Sequence, residues 1–400
     1  MTPYTNLPSK AKMTPTPFTA QIPEEKLKLM LDLIKLSPIG VATYENLDTS
    51  RTHGINRPWL AAAKEHWVSK FDWRAAERRI NSFPNYTTDV TDDDGCVYNL
   101  HFIALFSNND NAIPLVFYHG WPGSILEFLD MLDLIKKKYT PDQLPYHIVV
   151  PSLPGYTFSG GPPTTKDCTD IELARVCQRF MHQLGFAGGY VAQGGDVGSF
   201  VAKQSALDDP ACKAYHLNAS LVDPPENKDE LPITDLEKKM FDTRGQAFVT
   251  YGDAYGREHA TRAGTIGLAL SASPIALLAW IGEKFLEWSD EDPPLDKILD
   301  CVSLYWLTDT LPRCIYTYRS GYGPNAKEIN EVLEKNGPPT KPMGYSYFPC
   351  ELECTPVSWF GTVHNLVWFN RHERGGHFAA MERPVELFAD VEAFVKATWK

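Results

Sequence analysis

The chain has 400 residues, 43% of them hydrophobic and 22% charged, and a net charge of −12. A chain of this length can bury a large core without disulfide or metal staples, and its acidic sign argues against a nucleic-acid binder, which needs a basic face. The longest apolar run, "PIALLAWIG" (274–282), is far short of the roughly 20 residues a membrane span needs.

The eight cysteines form no C-x-x-C pair. Free thiols in a reducing compartment are therefore expected, in a soluble cytoplasmic protein without a metal site. Residues 1–22, rich in Thr and Pro, predict an extended arm. Residues 23–37 carry apolar side chains at helical spacing behind acidic residues and predict a helix, as does "RPWLAAAKEHWVSKF". From residue 97 the pattern changes. Strand-like runs at 97–106, 113–120, 146–153, 189–195 and 215–222 alternate with helical runs such as 125–139 and 170–185. That alternation predicts a parallel sheet with helices on both faces. "DPPENKDELP" (223–232) predicts a linker and 233–336 a helical insert, with Ser273 capping a helix that begins at Pro274. Strands return at 345–352 and 365–372, and a last helix covers 384–399. The expected organisation is an N-terminal arm and helical extension packed on the core (1–96), a core in two parts (97–222 and 344–400), and a mainly helical cap (223–343) over the strands' carboxyl ends. Open α/β sheets bind ligands at those ends.

Four features occupy the positions of catalytic groups in an α/β-hydrolase. "GGDVGS" (194–199), between a strand and a helix, has the form of a nucleophile elbow with Asp196 at its centre instead of Ser. "HGWPGS" (119–124) follows a strand and can aim the backbone N–H of Trp121 into the site, where with that of Val197 it forms an oxyanion hole. "RGGHFAAMERP" (374–384) offers His377 as a base, with His372 as a decoy; a metal site from His364, His372 and His377 matches no ligand spacing. "YFPCELE" (347–353) offers an acid to orient the His, Glu351 first and Glu353 second. The order nucleophile, acid, base is the one expected for this fold.

Together with "PSLPGYTFS", "SPIALLAWIGEKFLEW" and "SLYWLTDT", these segments resemble the epoxide hydrolases of the α/β-hydrolase superfamily. The likeness is to the microsomal branch, and most of all to its soluble fungal members. The resemblance implies Asp196 as nucleophile, Glu351 as acid and His377 as base. It further implies two cap tyrosines that act as acids: Tyr255, seven residues before Arg262 of "TRAGTIG", and Tyr318 of "IYTYRS", with Tyr251 and Tyr316 as decoys. The microsomal members carry an N-terminal membrane anchor, and no such segment is expected here. A small-molecule epoxide is the expected partner, no cofactor is required, and the arm and cap suggest a homodimer.

The chemistry explains the carboxylate. An epoxide is opened by attack on saturated carbon, and a carboxylate, ionised at neutral pH in its unperturbed form, attacks directly and becomes an ester. The ester has a carbonyl that water can attack; a Ser ether would have none. Three alternatives remain. An esterase is disfavoured because Ser199 lies three residues past the elbow centre. A haloalkane dehalogenase also uses an elbow Asp, but commonly with Trp next in sequence, where this chain has Val197. A non-catalytic ligand-binding member of the fold is expected to have lost one of the catalytic groups.

Overall fold

The computed structural model describes residues 3–327 and 337–400. A nine-stranded sheet runs through it in the order β1-β2-β3-β5-β4-β6-β7-β8-β9. The strands are β1 (Thr16–Pro17), β2 (Asn85–Thr91), β3 (Val97–Leu105), β4 (Ile113–Tyr118), β5 (Tyr146–Pro151), β6 (Tyr190–Gly194), β7 (Cys212–Leu217), β8 (Met343–Tyr347) and β9 (Leu366–Arg371). The first three strands and the β3–β5 pair are antiparallel; from β5 to β9 all pairs are parallel. Strands β5, β6 and β8 are buried along their whole length, because helices cover both faces of the parallel portion. Edge strand β9 instead alternates between half-buried and exposed positions.

The helices are α1 (Glu24–Leu36), α2 (Arg57–Ser69), α3 (Trp73–Ile80), α4 (Leu129–Lys138), α5 (Asp170–Met181), α6 (Val197–Asp208), α7 (Asp235–Met240), α8 (Ala254–Thr261), α9 (Ala263–Ser271), α10 (Pro274–Trp288), α11 (Leu295–Leu307), α12 (Leu311–Cys314), α13 (Arg319–Tyr322), α14 (Val357–Val363), α15 (Ala379–Glu382) and α16 (Pro384–Thr398). Helices α7–α13 lie between β7 and β8, where the helical insert was expected; its last predicted stretch, 328–336, lies outside the described residues. Ser273 caps α10 by accepting the N–H of Ala276. Among the described residues no single helix is long and apolar enough to cross a membrane, and the apolar pair α9–α10 is bent by 116°.

Three elements differ from the sequence expectation. Strand β2 lies in a region expected to form only arm and helices. Its Thr-rich, polar sequence carries little apolar alternation, and it is held by full register with β3, from Asn85↔Ile103 to Thr91↔Val97, so this hairpin crosses the 96/97 division. Strand β7 ends at Leu217, earlier than 222, because the chain leaves the sheet there to border the site. The extension does not pack on the core throughout. Its arm does, with Tyr4 donating to the Tyr139 carbonyl at 2.6 Å. Helices α1 and α2 lie instead on cap helices α10 and α11. There Trp67 is fully buried and donates to Ser303 Oγ at 3.1 Å, a burial worth about 1.5–3 kcal/mol.

Candidate active site

Strands β4 and β6 are direct neighbours, so the loops at their carboxyl ends meet. The β6–α6 turn places Asp196 at φ 51°, ψ −130°, a left-handed conformation that costs a non-glycine residue about 1–3 kcal/mol. Close packing holds it there. A Cβ on Gly194 would come within 2.1 Å of the Gly198 carbonyl oxygen, and one on Gly198 within 2.2 Å of the Tyr118 carbonyl oxygen. The spacing of small residues around Asp196 is thus a steric requirement of the turn.

Trp121, first after the "HG" of the β4 loop, donates its backbone N–H to Asp196 Oδ1 at 2.7 Å. Val197, the second expected donor, opens α6 directly after Asp196, at a helix start whose N–H groups have no intrahelical acceptor. Its N–H makes no hydrogen bond to the carboxylate here.

From β8 and β9 come the other two groups. His377 Nδ1 is 2.6 Å from Glu351 Oε1, and His377 Nε2 is 3.5 Å from Asp196 Oδ2. Glu351 Oε1 also accepts the N–H of Leu352 at 2.7 Å. The His377 backbone N–H is anchored on the Trp288 carbonyl at 3.0 Å. Burial alone drives the His377 pKa down, but the adjacent carboxylates of Glu351 and Asp196 outweigh it and hold the imidazole well above its ordinary value.

The cap closes the site from above. Tyr255 (α8) and Tyr318, in a turn between α12 and α13, both line the cavity that holds Asp196 and His377. Tyr318 donates to Tyr255 Oη at 3.4 Å. Burial, with the nearby Asp196 charge adding to it, pushes both phenols well above 10, so they stay protonated donors. The decoys separate cleanly: Tyr251 is 68% exposed, and Tyr316 is spent on the Pro154 carbonyl at 3.1 Å. His372 is bound to Asp390 at 2.6 Å and His364 to the Tyr215 hydroxyl at 3.1 Å, both away from His377. Glu353, the second candidate acid, lines the cavity but does not touch His377; burial first, then the Glu351 charge, pushes its carboxyl up to about 8.

Sequence reasoning missed an aromatic wall. The Trp121 ring stacks on Tyr255 at 5.0 Å, and Trp288 contacts both Tyr255 (5.2 Å) and His377 (5.0 Å). His259 fits against Trp121 and Tyr318 and accepts from Trp280 Nε1 at 3.0 Å. Lys284 Nζ lies 4.8 Å from the Tyr255 ring centre. The i, i+4 relation of Tyr255 to His259 and of Lys284 to Trp288 was the available signal.

A family model described as "Epoxide hydrolase N terminus" matches residues 15–128, and one described as "alpha/beta hydrolase fold" matches residues 113–272. A provisionally named epoxide hydrolase of Dothistroma septosporum is 50% identical over 396 residues, covering 98% of this chain and 92% of that protein. This chain belongs to the epoxide hydrolase family. Among its relatives, "Epoxide hydrolase 1" of Sus scrofa is 30% identical over 385 residues, covering 87% of this chain and 82% of that protein. The structure of Aspergillus niger epoxide hydrolase superposes with a TM-score of 0.92 at 47% identity, covering 99% of this chain and 100% of the other. The epoxide hydrolase fold is therefore the expected α/β-hydrolase sheet with a helical insert between β7 and β8.

Proposed function

We propose that this epoxide hydrolase converts an epoxide to a vicinal diol in two steps through an ester on Asp196. In the first, an Asp196 carboxylate oxygen attacks a ring carbon, the C–O bond breaks, and the departing oxygen takes a hydrogen bond from each of Tyr255 and Tyr318 and a proton from one of them. In the second, His377 takes a proton from water, and the resulting hydroxide attacks the carbonyl carbon of the ester. Glu351 holds the imidazole by Nδ1 and balances its charge, as the acid of a triad does. The N–H groups of Trp121 and Val197 receive the oxyanion. Collapse releases the diol, whose oxygen takes the proton of the new carboxyl group, and regenerates the carboxylate; the phenolate left by ring opening is reprotonated from the imidazolium.

The observation that carries this reading is the chain of contacts Trp121 N–H, Asp196, His377, Glu351, with both phenols facing Asp196 from the cap. The charges also time the steps. Ester formation neutralises Asp196 and removes one of the two carboxylates that hold the proton on His377. The His377 pKa then falls, so the imidazole gives up its proton and becomes available as a base only once there is an ester to hydrolyse. Two phenols suit an oxygen leaving group and not a halide.

A single turnover of styrene oxide in heavy-oxygen water tests the route. The heavy oxygen is expected in the Asp196 peptide, because water attacks the enzyme's own carbonyl. Diol formed without label in that peptide would show that water opens the ring directly.

A further inference from the structure

The cavity under the cap extends past the catalytic groups toward a rim built by α6, the segment after β7 and the cap. On α6 the residues facing it are Ser199, Phe200 and Lys203, a spacing that puts all three on one helical face. Lys203 is half-buried, and its ammonium has neither a hydrogen bond nor an ion pair within the described residues. A charge withdrawn from water without a partner is costly, and burial alone lowers the Lys203 pKa, with no carboxylate acting on it. The basic group it influences is His364, which it repels. Among the described residues the carboxyl groups lining this cavity are those of Asp196 and Glu351, in the catalytic cluster, and Glu353, which burial pushes up to about 8. The apolar part of the lining is Phe200, Ala219, Leu221, Phe248 and Leu352, and Ser199, Ser220 and Tyr322 add polar groups to it.

We infer that Lys203 binds an anionic group of the substrate, and that the enzyme takes epoxides carrying a carboxylate at the far end of an aliphatic spacer. The inference rests on the proposed placement of the ring between Asp196 and the two tyrosines. One ammonium matches one negative charge, which favours a carboxylate over a doubly charged phosphate. Lys203 lies seven residues beyond Asp196 on the same helix, an axial distance of about 10 Å. The apolar side chains of the lining fit the methylene chain that must cover that distance, and a carboxylate paired with the ammonium makes a charge-assisted hydrogen bond.

The test compares kcat/KM for epoxidised undecylenic acid with that for its primary amide, at pH 7, with styrene oxide run alongside. The two long-chain substrates share reactive ring and spacer and differ in charge. Wild type is expected to prefer the acid by about tenfold or more. Lys203→Met should bring the ratio to about one, Lys203→Glu should reverse it, and Lys203→Arg should retain it. Because the ratio is taken within one variant, partial misfolding cancels. A short epoxy acid, whose carboxylate cannot reach Lys203 from the catalytic position, should show no preference over its amide. Diol from styrene oxide with an acid-to-amide ratio near one in wild type overturns the assignment of Lys203 alone. So does an acid preference that survives in Lys203→Met. Absence of diol from every epoxide overturns the reading beneath it as well.

Discussion

Replacing Glu351 by Gln isolates the second half-reaction. The side chain keeps its shape and is buried (3% exposed), and its oxygen stands 2.6 Å from His377 Nδ1. Only the negative charge is lost. In the proposed route ring opening uses Asp196 and the tyrosines and needs no proton from this pair, so the ester should form at near the wild-type rate. Hydrolysis generates an imidazolium that Glu351 no longer balances. Removing one partner of a buried pair costs about 3–5 kcal/mol. At 1.36 kcal/mol per decade that slows hydrolysis by about a hundred- to several-thousand-fold. Rapid mixing with one equivalent of styrene oxide, followed by intact-mass measurement, should show a burst of epoxide consumption and an adduct equal in mass to the epoxide, with diol appearing slowly. Diol release within about threefold of wild type, with no adduct, would refute the role of Glu351 and the charge argument behind it.

Tyr255→Phe and Tyr318→Phe should each slow single-turnover ring opening by about a hundredfold or more, the scale of one acid contribution; unchanged rates in both would remove the pair. In Asp196→Asn the imidazole of His377 loses one of its two adjacent carboxylates, so its pKa, followed by NMR, should fall toward neutrality; a titration identical to wild type would contradict the proposed timing of the steps. Gly198→Ala drives a Cβ to 2.2 Å from the Tyr118 carbonyl oxygen, an overpacking that should destabilise the fold by about 1–3 kcal/mol in urea unfolding. An unchanged midpoint would mean that the elbow relaxes freely.

What the sequence by itself determined is the local part of this protein. Parallel strands buried on both faces read as unbroken apolar runs, so β4, β5 and β6 were legible, as was the Ser273 cap of α10. The elbow was legible because its steric demand falls on residues adjacent in sequence, Gly194 and Gly198. Tertiary structure decided what depends on distant neighbours. Strand β2 exists through its register with β3 and not through its own polar sequence. Helices α1 and α2 chose the cap as their surface, although their apolar stripes require only some partner. Tyr255 and Tyr251 share one cap segment, yet one lines the cavity with Asp196 and the other faces solvent, according to how α8 packs against α9, α13 and the turn that carries Tyr318. Lys203 is an ordinary helix lysine by sequence. Only the packing of the cap and the segment after β7 around it leaves its charge without a partner, because a charge is unpaired by the absence of neighbours in space, which no local pattern encodes.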